Sequence, residues 1–309
     1  MKISRRSFLA KAATGAALLS ASAHAARKNF AGVKEVRNAR GRVVDETCEI
    51  FNAGAEIPDS ESELSALLSE MSQAYVLKSA LSVPKSAHFK AFCDAKFAGS
   101  LNENIYKLSL NLNSKILSCA MLPVFDKSAA LSELERAGKS FGFFGAVIPT
   151  QIDGKILGFE DLEQILKLAQ DLGMPLFAAA ASPISNPVAR DAEIGLFASK
   201  LAFGNKLSGL EKLKIVLPSM GGSLPFSLAR NSIRAYDNGD NSFSCYLKNF
   251  YYICGEDYRD SLFDEIRRSV LTSQLLFGAT KNPAQALSNL RRVSNLDIIL
   301  RGKSLFSRA

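Results

Sequence analysis

Histidine is the side chain most often used to move protons or hold metal near neutral pH. This chain of 309 residues has two, His24 and His88. His24 falls in a leader-like N-terminus, which leaves His88 for the body of the chain. His88 follows the proline-containing run Val83-Pro84-Lys85-Ser86-Ala87 and reads as a surface-loop histidine. Glu49 is a candidate general base, or else a carboxylate that accepts backbone hydrogen bonds. Ser219 is a candidate nucleophile, a role that needs a base beside it. Gly221-Gly222 either lets the backbone approach a ligand closely or makes a tight turn into a helix. The five cysteines (Cys48, Cys93, Cys119, Cys245 and Cys254) include no C-x-x-C spacing, so neither a zinc knuckle nor a thioredoxin-type motif is present. Most are expected to be small buried apolar residues. An odd count leaves at least one without an intramolecular partner in an oxidising compartment.

The elements that would position these groups begin after a targeting signal. Ser4-Arg5-Arg6-Ser7-Phe8-Leu9 resembles a twin-arginine export motif, followed by Lys11, a weakly apolar stretch from Ala12 to Ala23, and a small-residue cleavage site at Ala23-His24-Ala25. The expectation is a signal peptide over residues 1–25 and a mature chain in the periplasm. Twin-arginine signals are receptor-read addresses, not anchors. Lys2, Arg5, Arg6 and Lys11 belong to that signal, so the mature chain exceeds neutrality by only four positive charges. That is ordinary for a soluble domain and excludes nucleic acid as an expected partner. No later apolar run approaches the ~18 residues of a membrane span.

Past residue 42 the chain alternates short apolar runs with amphipathic stretches. Strands are expected at 43–51, 75–83, 116–122, 144–149, 175–180, 212–219, 249–254 and 274–279. Several are continuously apolar, as strands covered on both faces should be. A helix is expected from Glu160 to Leu172, with Leu162, Ile165, Leu166 and Ala169 on one face and Gly173 as its stop. Eight strands with intervening helices predict an α/β fold, a (β/α)8 TIM barrel. No G-x-G-x-x-G, P-loop or G-x-S-x-G appears. Residues 26–42 read as an N-terminal arm and residues 43–309 as one barrel domain. Tyr251 and Tyr252 are expected to pack in the core on the seventh strand.

Several segments resemble the amidohydrolase-related family, the group of aminocarboxymuconate semialdehyde decarboxylase and the resorcylate-type decarboxylases. Residues 213–226, Leu-Lys-Ile-Val-Leu-Pro-Ser-Met-Gly-Gly-Ser-Leu-Pro-Phe, are similar to its sixth-strand segment, and the match continues to Arg230. Glu133-Leu134-Glu135-Arg136-Ala137 is similar to its E-L-x-R-A helix. Gly173-Met174-Pro175-Leu176-Phe177 is similar to its fifth-strand entry, and Phe277-Gly278-Ala279-Thr280 to its eighth. The resemblance implies a metal-dependent hydrolase or decarboxylase barrel, with ligands at set positions. Two histidines separated by one residue belong on the first strand, where Thr47 and Glu49 stand. A histidine should end the fifth strand, where Ala179 stands; another should precede the Gly-Gly pair, where Ser219 stands; an aspartate should follow the eighth strand, where Thr280 stands. Alanine cannot ligate and neutral hydroxyls are poor zinc ligands, so no metal and no cofactor are expected. The resemblance also implies that Arg230 reaches across a dimer interface toward a substrate carboxylate, for which a guanidinium has matching geometry; a surface salt bridge is its alternative.

Three readings follow. The first is a metal-free barrel that binds a small carboxylate, an aromatic ligand or a protein partner without turnover. The second is an active hydrolase or carboxy-lyase with an altered site around Glu49, Ser219 and Arg230. The third is a structural or export partner of an active, histidine-bearing relative, carried in one oligomer with it; the chain is expected as a homodimer or in such a hetero-oligomer.

Overall fold

The computed structural model describes residues 36–37, 43–44, 50–56, 65–69, 71, 76–82, 85–110, 116–181, 186–203, 206–227, 249–254 and 274–278. Its centre is one sheet of eight parallel strands: β1 (Ile50–Glu56), β2 (Val76–Ser82), β3 (Ile116–Met121), β4 (Gly145–Pro149), β5 (Leu176–Ala179), β6 (Ile215–Leu217), β7 (Phe250–Cys254) and β8 (Leu275–Phe277). Their spatial order is their chain order, and β8 returns beside β1. This is the (β/α)8 barrel that the alternating pattern predicts. Parallel neighbours need a crossover between them, and the helices supply it: α1 (Lys85–Cys93), α2 (Ala95–Leu110), α3 (Lys127–Lys139), α4 (Phe159–Asp171) and α5 (Pro187–Ala202).

Two expectations need correction. The first barrel strand is Ile50–Glu56 and not 43–51. Val43–Val44 instead pairs antiparallel with Val36–Arg37, which occupies the backbone groups a barrel strand would have used. His88 is helical and not in a loop, because the proline ahead of Lys85 marks a helix start. Its ring lies 5.8 Å from that of Phe92 one turn on.

Helix ends follow their sequences. Asp126 Oδ1 accepts from the Ala129 amide at 3.0 Å ahead of α3, and Asn186 Oδ1 accepts from the Ala189 amide at 3.1 Å ahead of α5, with Pro187 in its first turn. The E-L-x-R-A segment has a structural use. Glu133 sits on the buried face of α3 and takes Arg136 Nε at 2.9 Å and Nη2 at 2.8 Å on its two oxygens. Glu133 Oε1 also accepts from Asn102 Nδ2 at 2.7 Å, and Asn102 in turn bonds both the amide and the carbonyl of Met121. One charged cluster thus ties α2 and α3 to the end of β3. Leu134, Leu162, Ile165, Leu166, Phe197 and Leu201 are fully buried beneath the helix layer.

Candidate functional site

Parallel barrels present their chemistry at strand C-terminal ends, so the exits of β4, β5 and β6 frame the site. β5 ends at a half-buried Ala179, and its neighbour β6 ends at Leu217, two residues before a half-buried Ser219. The fold therefore brings these two positions to adjacent strand ends. Cross-strand partnering places Met121, Val147, Phe177, Val216 and Tyr251 in one row. Ala179 continues the same face, two residues beyond Phe177. The opposite face, with Ala120, Ala146, Leu176, Ile215 and Phe250, is completely buried. Ala179, Tyr251 and Ile253 keep partial exposure. Met121, Val147, Phe177 and Val216 of that row are buried, so exposure on this face begins at Ala179 on β5 and at Tyr251 and Ile253 on β7. Burial raises the Tyr251 pKa, which keeps its hydroxyl neutral at physiological pH. Tyr252, on the other face, is fully buried as expected of core.

The turn after β6 is strained. Ser219 (φ 48°), Met220 (φ 52°), Gly221 (φ 83°) and Gly222 (φ 58°) are all left-handed, and the first two are not glycine. Non-glycine residues held there cost about 1–3 kcal/mol each. The two glycines are required by close packing within the protein. A Cβ on Gly221 would lie 2.7 Å from the Tyr252 ring, and one on Gly222 would lie 2.4 Å from the Asp191 carbonyl oxygen. The Ser223 amide donates to that same carbonyl at 2.9 Å. Of the two roles open to Gly221 and Gly222, the observed close approach is to Tyr252 and to the backbone of α5.

A carboxylate that the sequence does not advertise stands behind these exits. Glu193, on the inner side of α5, is buried. Its Oε1 accepts from the Ala181 amide at 2.8 Å and from the Thr150 hydroxyl, and its Oε2 accepts from Gln151 Nε2 at 2.9 Å. Thr150 and Gln151 follow β4, and Ala181 follows β5. One side chain therefore fixes two strand exits to one helix. The signal that could have revealed it is its phase: Glu193 stands four residues before Phe197 and eight before Leu201, in the buried stripe of α5.

Thr47, Glu49, Arg230 and Thr280 lie outside the described residues. Of the cysteines, Cys119 and Cys254 are buried and Cys93 is exposed, while Cys48 and Cys245 lie outside the described residues. Burial pushes the Cys254 thiol up to about 12 and raises Cys119 as well, so both are inert neutral thiols. A depression lined by Lys127, Leu131, Glu160 and Asp161 lies between the N-terminal turns of α3 and α4.

Known proteins place this arrangement. No protein-family model matches the sequence. The chain superimposes on dihydroxybenzoic acid decarboxylase from Polaromonas sp., solved with bound manganese and an inhibitor, with a TM-score of 0.72 and 18% identity, over 84% of this chain and 97% of that one. It superimposes on 2,6-dihydroxybenzoate decarboxylase from Rhizobium with a TM-score of 0.69 and 18% identity, over 84% and 99%. The chain has the barrel of the amidohydrolase-related decarboxylases. In sequence, the chain is 29% identical over 133 residues to the decarboxylase orsB of Emericella nidulans, a stretch covering 37% of this chain and 40% of that relative. It thus spans less than half the length of that curated relative.

Amidohydrolase-type metal centres draw their ligands from strand ends, and the residues present at β5 and β6 do not fit one. Ala179 offers no donor atom and Ser219 offers a neutral hydroxyl. Among the described residues, no three His, Cys, Asp or Glu side chains come together.

Proposed function

We propose that this amidohydrolase-type barrel binds a small carboxylate or aromatic ligand, or a protein partner, without turning it over. The observation that carries the reading is Ala179, with no donor atom, on the accessible and apolar end of β5. Binding sites for small molecules are mostly apolar with a few placed polar groups, and the half-buried Ala179, Tyr251 and Ile253 are residues of those kinds. Arg230 is assigned to a ligand carboxylate or to a dimer contact. Residues 1–25 are assigned as a twin-arginine signal, residues 26–42 as an arm and residues 43–309 as the barrel, with the mature protein in the periplasm. No helix among the described residues is long and apolar enough to cross a membrane.

A second reading, an active hydrolase or carboxy-lyase with an altered site, has one observation in its favour. Strained backbone collects at functional positions, and Ser219 and Met220 are strained at the β6 exit.

The deciding experiment is elemental analysis of the purified protein after dialysis, beside calorimetric titration with benzoate. The binding reading expects well under one zinc or manganese per chain and saturable benzoate binding without product. About one metal per chain, or release of carbon dioxide from an aromatic acid, would overturn it.

A further inference from the structure

Glu193 divides its two oxygens between different partners. Its Oε1 takes the Ala181 amide at 2.8 Å and the Thr150 hydroxyl, and these two bonds already tie α5 to the β4 and β5 exits. Its Oε2 takes Gln151 Nε2 at 2.9 Å. A carboxylate only accepts, so this bond decides which way the Gln151 amide faces: nitrogen toward Glu193, carbonyl oxygen away from it. The backbone beside that amide is held as well. The Thr150 amide and hydroxyl both donate to the Ala179 carbonyl, at 3.1 and 3.2 Å, and the Leu157 amide donates to the Thr150 carbonyl at 3.0 Å. Gln151 itself pairs with Ile156 in a short hairpin whose turn holds Asp153 (φ 48°) and Gly154 (φ 77°).

One atom of this arrangement is left over. The Gln151 side chain is half-buried, and among the described residues its Oε1 accepts no hydrogen bond. Pro149 of β4 stands opposite Ala179 of β5, so Gln151 lies one strand across and two residues on from the position that has no donor atom. We propose that Gln151 is a specificity-determining residue of this site, and that its carbonyl oxygen selects ligands presenting an N–H or O–H donor. The proposal rests on the reading of the barrel as a binding protein and names the ligand chemistry that the site prefers. An acceptor already held in one orientation loses little freedom when a ligand arrives. The charge-assisted bond at its nitrogen also polarises the amide, which strengthens the oxygen as an acceptor. A ligand carboxylate gains nothing from that oxygen, since both only accept. A bound acid therefore turns its donor toward Gln151 and its carboxylate elsewhere.

A purely structural role predicts something different. A Gln151 that only braced Glu193 would, when removed, change stability and leave ligand choice alone. A carbonyl that reads a donor changes, when removed, the ratio of affinities between two ligands of equal size. Glu193 acts through Gln151 and is a positioning residue. In Glu193→Gln the new side chain both donates and accepts, so the Gln151 amide is free to turn over and offer its nitrogen instead.

The test is calorimetric titration of the full-length chain with the ortho, meta and para aminobenzoates and with the three methylbenzoates, which match them in size and lack the donor. At least one aminobenzoate should bind about 3- to 10-fold more tightly than its methyl counterpart, the range for one hydrogen bond. Gln151→Met, which keeps the length of the side chain and removes the carbonyl, should bring that ratio to one or below. Glu193→Gln should lower it as well. Equal affinities for every amino and methyl pair in the parent, or a ratio that survives Gln151→Met, overturns the proposal and leaves the binding reading standing. A folded Glu193→Gln that keeps the parent's ratio overturns the positioning role of Glu193. A parent that binds neither series overturns the binding reading and this proposal with it. Should Glu193→Gln lose its circular dichroism spectrum, Gln151→Met at its half-buried position decides alone.

Discussion

At the residue scale, Glu193 shows how a buried charge is made tolerable. It sits in the apolar stripe of α5, and donors from Thr150, Gln151 and Ala181 surround its two oxygens. Removing the carboxylate would take the acceptor from the Ala181 amide and from the half-buried Gln151 side chain, while the buried Thr150 hydroxyl would keep the Ala179 carbonyl at 3.2 Å. Glu193→Ala should therefore lower unfolding free energy by about 2–4 kcal/mol, and Glu193→Gln by less, since the amide keeps one acceptor. Urea titration of the three proteins measures this; equal midpoints would show that the cluster contributes nothing. Reading single residues from sequence succeeded or failed by kind. Tyr252 was legible as core because a large aromatic in a continuous apolar run has few other fates. Glu193 was not, because a lone acid in a helix usually faces water, and only its phase with Phe197 and Leu201 betrays it. His88 was misplaced because a proline starts helices as readily as it ends strands.

At the element scale, α4 offers a test with a definite pH dependence. The Gly158 amide donates to Asp161 Oδ2 at 2.9 Å, and Lys155 Nζ reaches Asp161 Oδ1 at 2.5 Å. Burial works to raise the Asp161 pKa, but the bonds to Lys155 and Gly158 outweigh it and hold the carboxyl below its usual value. The folded pKa lies below the unfolded one, so the stabilisation is complete above about pH 4 and fades as pH falls through the lower folded value. Asp161→Asn should lower stability at pH 7 by about 0.5–1 kcal/mol, as for loss of a helix cap. The gap between the two proteins should close on acidification, as thermal melts from pH 7 to pH 2 would record; a gap constant with pH would refute the assignment. Element positions were largely legible: seven of the eight barrel strands fall within their expected ranges, because parallel strands under helices are short, apolar and regularly spaced. β1 was displaced because Val43–Val44 is equally apolar and β-branched, yet pairs locally with Val36–Arg37. Periodicity does not distinguish a local partner from a distant one.

At the scale of the whole molecule, the order of the strands and the likeness to decarboxylase barrels agree with the pattern along the chain. What the molecule does was less legible, since a fold hosts many activities and Thr47, Glu49, Arg230 and Thr280 lie outside the described residues. The proposed export route is open to direct trial. With Arg5 and Arg6 both changed to lysine, the precursor should accumulate in the cytoplasm, followed by immunoblotting of cell fractions; undiminished periplasmic protein would refute the assignment.

The seam of the barrel has a consequence in time. β1 lies beside β8, and β8 begins at Leu275, more than two hundred residues later in the chain. A ribosome adding about 5–20 residues per second takes on the order of 10–45 seconds to cover that distance. Throughout that interval β1 presents an open edge to the cytoplasm, a template for wrong pairing. The proposed twin-arginine route, which carries folded proteins, would have to wait for the last strand. The nascent chain is at its most vulnerable before Phe277 emerges, and chaperone demand should fall sharply for chains released after that point.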